Sequence, residues 1–148
     1  MSYDYSYVNE ETAEKQEKSE KAVDTGGRAT AEGSLVMNST AYQAFMTGSS
    51  VGGSEAWTVA RLAGIQGAKH ADELVLVSQS FNIVGIEMEY EADEEAKKVT
   101  VKCQVRTKER IGAETAALVG CGMALMVLVE SLRAMDRNLK IDGLRVIR

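Results

Sequence analysis

The chain has 148 residues, 45% of them hydrophobic and 26% charged, with a formal net charge of -5 at pH 7. Those figures suit one soluble globular domain with a hydrophobic core of its own. The acidic balance argues against a nucleic-acid partner, and a single histidine, His70, without a close cysteine pair argues against a metal centre.

Residues 1–22 open with Tyr3, Tyr5 and Tyr7 and continue with mixed charge from Glu10 to Lys21. Charge without an apolar face predicts a mobile charged arm, leaving 23–148 as a single domain. The acidic, polar start lacks the basic-then-apolar order of a secretory signal. Cys103 and Cys121 both sit in apolar pattern, which predicts buried free thiols and a reducing, cytoplasmic setting. Proline is absent, against an average usage of about 5%.

Gly26-Gly27 is a break, and Ala29 to Met37 reads as a strand interrupted by a bulge at Gly33. Asn38, Ser39 and Thr40 supply an N-cap for a short helix carrying Tyr42 and Phe45, which Gly48 ends. Ser49 to Gly53 is a loop of the kind that borders a pocket. Ser54 and Glu55 then open a second helix through Trp57, Ala60, Gly64 and Ala68, whose small residues invite close packing. Arg61 and Lys69 are its cations. Leu74 to Val77 is a short apolar run, read as a brief strand.

A hairpin follows. Val84, Ile86, Met88 and Tyr90 alternate with Gly85, Glu87, Glu89 and Glu91, a period-two pattern for a half-buried strand. Ala92 to Ala96 is the turn, and Val99, Val101, Cys103 and Val105 return on the buried side. Pairing about that turn sets Glu91 near Lys98 and Glu87 near Lys102. Arg106, Lys108 and Arg110 continue the basic side into the next helix, whose N-terminus carries free N–H groups and partial positive charge. Two readings stay open for these three: phosphate contacts beside a helix N-terminus, or surface cations for solubility.

Gly112 to Arg137 is the most apolar stretch, with fifteen uncharged residues between Glu114 and Glu130, short of the roughly 17–25 of a bilayer span. A helix apolar on every side must be buried on every side, in a core or between subunits. Ala116, Gly120 and Ala124 form a small-residue stripe where another backbone can approach. It reads either as a central core helix or as one whose ends, Glu114 and the Glu130/Arg133 pair, point into a site. Asn138 predicts its C-cap, and Lys140 to Ile147 a last strand. The order of elements predicts an α+β fold, a ferredoxin-like antiparallel sheet with helices packed on one face.

No phosphate-binding Gly-Lys-Ser/Thr loop, nucleophile elbow or zinc spacing occurs. Several segments do resemble one family. Thr58 to Lys69 is similar to its A-R-I-A-G-I helix, and Asp72 to Tyr90 to its L-C-H-P segment and following strand. Arg28 to Gly33, Gly112 to Leu118 and Ala134 to Arg137 resemble its R-x-A-x-A-x-G, G-V-E-M-E-A-L and A-V-D-R wording. The family is cyclic pyranopterin monophosphate synthase, the MoaC-type protein of molybdenum cofactor biosynthesis, and the likeness runs collinearly over about residues 22–147.

The resemblance implies conversion of a cyclised dihydro-GTP to cyclic pyranopterin monophosphate with release of pyrophosphate. It implies no metal or organic cofactor, and a homo-oligomer, a hexamer built as a trimer of dimers, with a nucleotide or pterin ligand held where subunits meet. No membrane partner is implied. Family alignment gives Glu130, Arg133 and Glu114 as catalytic positions. It gives Val77, Ser78, Gln79, Thr115, Ala116, Arg61 and Lys69 as substrate-binding positions. The chain departs from the family where Gln79 replaces a histidine, Arg133 a lysine and Ala116 a glutamate, and no lysine stands near Gly52-Gly53. An amide and a guanidinium cannot exchange protons near neutrality. Three functions therefore compete: a working synthase, a non-catalytic ligand-binding oligomer, and a pterin- or nucleotide-related enzyme with other chemistry.

Overall fold

Four strands, the two central ones with alternating burial, form one antiparallel sheet in this computed structural model, which describes residues 26–48, 55–77 and 79–148. They are β1 (Gly27–Val36), β2 (Ile83–Asp93), β3 (Lys98–Thr107) and β4 (Lys140–Ile147), in the sheet order β2-β3-β1-β4. Between β1 and β2 come α1 (Ser39–Thr47), α2 (Ala56–Lys69) and the single turn α3 (Ala71–Leu74). Between β3 and β4 comes α4 (Ala113–Leu132). This is the ferredoxin-like order that the sequence predicts. The charged arm, the loop at Ser49 to Gly53, Ser54 and Ser78 lie outside the described residues.

Strand alternation decides which way the sheet faces. Ala29, Ala31 and Leu35 of β1 and Val99, Val101, Cys103 and Val105 of β3 are buried in one core with α2 and α4. Their neighbours Thr30, Glu32, Lys102 and Gln104 lie on the opposite, polar face. The bulge expected at Gly33 is present, as a register shift between Glu32 and Ser34 against β4. A Cβ there would lie 2.7 Å from the Leu125 side chain, so glycine lets α4 sit close on β1.

The small-residue faces of α2 and α4, each read as inviting close packing, meet each other. A Cβ on Gly64 would stand 2.8 Å from the Gly120 carbonyl oxygen, and one on Gly120 would stand 3.0 Å from that of Gly64. Two backbones touch there, and only hydrogen fits between them. Ala116 and Ala124 flank the crossing and are fully buried. α4 spans 20 residues, long and apolar enough by length and composition to cross a membrane, yet half of it is packed in this core. Its outer flank is open: Met126 is 52% exposed, so a single copy does not bury this helix on every side.

Four expectations are corrected. Leu74 to Val77 is not a strand but the end of α3 and the turn after it, with all four side chains exposed and Leu76 at 89%. Its amides close local bonds, Val75 to Ala71 and Val77 to Asp72, which no neighbouring strand can use. The hairpin register is two residues longer than predicted. β2 continues to Asp93, so Asp93 opposes Lys98 and Glu89 opposes Lys102. Lys97 at φ 52 then supplies the left-handed residue of the turn. Tyr90, expected on the buried side, is 37% exposed and packs edge-on against Phe45 and Trp57. Lastly, α4 ends at Leu132 with Arg133 as its C-cap, not at Asn138.

Cys103 and Cys121 are free and buried, as the sequence predicts. Burial pushes both thiols up to about 12 from 9.0; Cys121 adds to the rise at Cys103, and Glu32 to that at Cys121. The folded state therefore keeps thiol protons that the unfolded chain releases. Stability from this source is complete below about pH 9 and declines as pH climbs toward about 12. Urea unfolding across that range should show the decline, and alanine at both positions should flatten its slope. Gly64→Ala or Gly120→Ala should each lower stability by about 1–3 kcal/mol in the same assay, because overpacking two backbones outweighs alanine's helix propensity.

Candidate functional site

The first candidate region forms at the N-terminal end of α4. Gly112 caps the helix at φ 86, and a Cβ there would overlap the Phe81 ring. Phe81 is held from the other side, its N–H donating to Asp72 Oδ2 at 3.2 Å. The ring thus fixes the segment after α3, with Gln79 on it, against the start of α4. The β3–α4 loop is fastened too: Lys108 N–H donates to the Asn82 carbonyl, and Gly27 N–H to that of Glu109, each at 3.0 Å. The Thr107 hydroxyl donates to the same Glu109 carbonyl.

Of the predicted residues, Val77, Gln79, Lys108, Arg110, Glu114 and Thr115 belong to these segments. Lys108 and Arg110 are exposed in the loop, while Glu114 forms an ion pair with Arg148 at 3.1 Å. Thr115 is half-buried. Ala116 is fully buried in the core and presents no side-chain surface to a ligand. Arg106 sits apart, on the polar face of the sheet beside Arg28 of β1. Its strand parity, like that of Lys102, turns it away from α4.

The second candidate region forms at the other end of α4. Glu130 and Arg133 pair at 3.0 Å across one helical turn, both largely exposed. With Ala134 and Arg137 they line an open depression. Sixteen residues separate Glu114 from Glu130, about 24 Å at about 1.5 Å per residue. One copy of the chain does not bring its predicted catalytic positions together. The α2 cations are separate again: Lys69 ends α2 on the α3 side, while Arg61 lines a hollow with Glu87, Glu89 and Lys102.

Sequence reasoning missed what holds the second region. Asp136 is 8% exposed, and its carboxylate accepts the N–H of Asn38 and that of Asn138, each at 2.8 Å. Asn38 returns the contact, donating its amide to the Met135 carbonyl at 3.0 Å while its oxygen caps α1 at Ala41. One buried acid thus joins the end of β1, the start of α1 and the entry to β4. The signal available was an aspartate two residues before a turn asparagine, and that says nothing of a partner 98 residues away. Among the described residues, no group of three or more His, Cys, Asp or Glu side chains is placed to hold a metal ion.

The MoaC family profile matches residues 16–148. A protein of Natranaerobius thermophilus named cyclic pyranopterin monophosphate synthase is 30% identical over 125 residues, which is 84% of this chain and 78% of its own length. One of the same name in Bordetella pertussis is 31% identical over 123 residues, 83% of this chain and 76% of its own. Another in Heliobacterium modesticaldum is 27% identical over 124 residues, covering 84% and 77%.

Replacing Asp136 with alanine strands two backbone donors at a buried junction. The variant should lose about 2–6 kcal/mol at about 1–3 kcal/mol per unsatisfied donor, read as a lower midpoint in chemical unfolding.

Proposed function

The chain belongs to the MoaC family, and on that premise we propose that it serves molybdenum cofactor biosynthesis as a synthase-type protein whose ligand pocket is shared between copies. The observation that carries the reading is the length of α4. Glu114 and the Glu130/Arg133 pair stand about 24 Å apart on one rigid helix, so a pocket using both draws them from different subunits. The assembly that fits is the family's hexamer, a trimer of dimers, and the open flank of α4 around Met126 is consistent with it. Two buried free thiols fit a reducing, cytoplasmic setting.

The reaction is conversion of a cyclised dihydro-GTP to cyclic pyranopterin monophosphate with loss of pyrophosphate. It needs protons moved and departing negative charge stabilised. Gln79 and Arg133 cannot move protons, so Glu114 and Glu130 are the carboxylates left for that role. Arg133, Lys108 and Arg110 supply positive charge for the phosphates. A second reading, a ligand-binding oligomer without turnover, is favoured by those two replacements together. Each remaining carboxylate is also tied to an arginine, Glu114 to Arg148 and Glu130 to Arg133.

Purified protein supplied with the cyclised GTP intermediate separates the readings. Synthase action yields product and pyrophosphate, and Glu114→Gln or Glu130→Gln should slow it about 100- to 10,000-fold. Thermal stabilisation by the intermediate without product establishes the second reading. A monomer that neither binds nor converts it sinks both.

A further inference from the structure

Residues 133–137 do not leave α4 as a free loop. The N–H groups of Met135 and Asp136 both donate to the Leu132 carbonyl, at 3.0 and 3.2 Å, so the chain makes one more turn past the helix. Asp136 is then locked by the Asn38 and Asn138 amides. That extra turn carries Arg137 four residues beyond Arg133, where both line the depression with Glu130 and Ala134. Arg133 is partly neutralised by Glu130 at 3.0 Å. Arg137 makes no ion pair with any described residue.

We infer that Arg133 and Arg137 form a diphosphate-binding site in which Arg137 supplies the uncompensated charge. Guanidinium groups bind phosphoryl oxygens in two-pronged fashion, so two of them suit a ligand with two adjoining phosphoryl groups. Ala134, the remaining lining residue, adds neither charge nor bulk. Two like charges lining one depression gain from local compensation, and the partial negative charge at the C-terminus of α4 provides some of it. Counting side chains, the hollow holds two guanidinium groups and one carboxylate. Its surplus is a single positive charge, and neutralising Arg137 would remove it. The inference rests on the proposed function for its ligand class, but not on turnover.

Titration of the full-length protein with inorganic pyrophosphate, by calorimetry and by phosphorus NMR at low salt, tests this directly. Wild type should bind, with affinity falling as salt rises. Arg137→Ala should weaken binding at least tenfold while keeping the wild-type melting temperature, and Arg137→Lys should restore part of it. Glu130→Gln should bind several-fold more tightly, since it removes the opposing charge, even though the same change is expected to slow turnover. Inorganic phosphate and sulfate should bind more weakly than pyrophosphate. Absence of pyrophosphate binding overturns the inference, as do equal affinity of Arg137→Ala, weakened binding by Glu130→Gln, or equal binding of sulfate. Arg137-dependent binding in a protein that never converts the GTP intermediate would overturn only the synthase reading.

Discussion

The crossing of α2 and α4 at Gly64 and Gly120 is the constraint on which the rest of the structure hangs. Two helix backbones meet there with no side chain between them, and Met88 and Cys103 of the sheet pack directly against the same point. Close approach draws both helices onto one face of four strands and lets short side chains fill the core. It explains why the buried helical residues are so often alanine and why one face of a modest sheet suffices. A bulkier residue at either glycine would lift the helices apart, and the core alanines are too short to close the gap.

From that crossing α4 runs outward in both directions, and its length separates two chemically different ends. One end meets the Phe81 ring and adjoins a cationic loop. The other carries a salt-bridged carboxylate and two arginines over a buried aspartate. Each end is fastened by its own device, an aromatic ring against a left-handed glycine in one case and an acid shared between two backbone amides in the other. Rigid ends on a rigid helix suit a pocket assembled from separate chains, because neither half needs ordering when the other arrives.

Much of this was legible in the sequence because it follows local periodicity. Alternation along Ala29 to Val36 and Val99 to Val105 gave the strands, and Asn38 and Gly48 the limits of α1. Gly33 showed as a bulge, and the small-residue stripe showed where a backbone could approach, though not that α2 would supply it. What failed was set by partners elsewhere in the chain. The hairpin register depended on Lys97 entering the left-handed region, which lysine rarely signals. Leu74 to Val77 has the composition of a strand, but its amides were already committed to α3. Local pattern placed Glu114 and the Glu130/Arg133 pair at opposite ends of one helix, and family resemblance marked them as site positions. Asp136 was invisible: a buried acid is recognised by its donors, and one of those lies 98 residues away.

The central position of β1 has a consequence for how the chain is made. β1 is among the first structured segments to be synthesised, yet its two neighbours are β3 and β4, with Thr30 pairing to Ile147 near the far end. A growing chain therefore carries a half-paired β1 and a long apolar α4 until β4 emerges. Such distant pairings close slowly, and α4 stays exposed until it docks on the elements made before it. During synthesis α4 offers any membrane-insertion or chaperone machinery the same apolar face that the finished fold hides. Docking of α4 onto α2, β1 and β3, all of which precede it in the chain, withdraws that face before β4 completes the sheet.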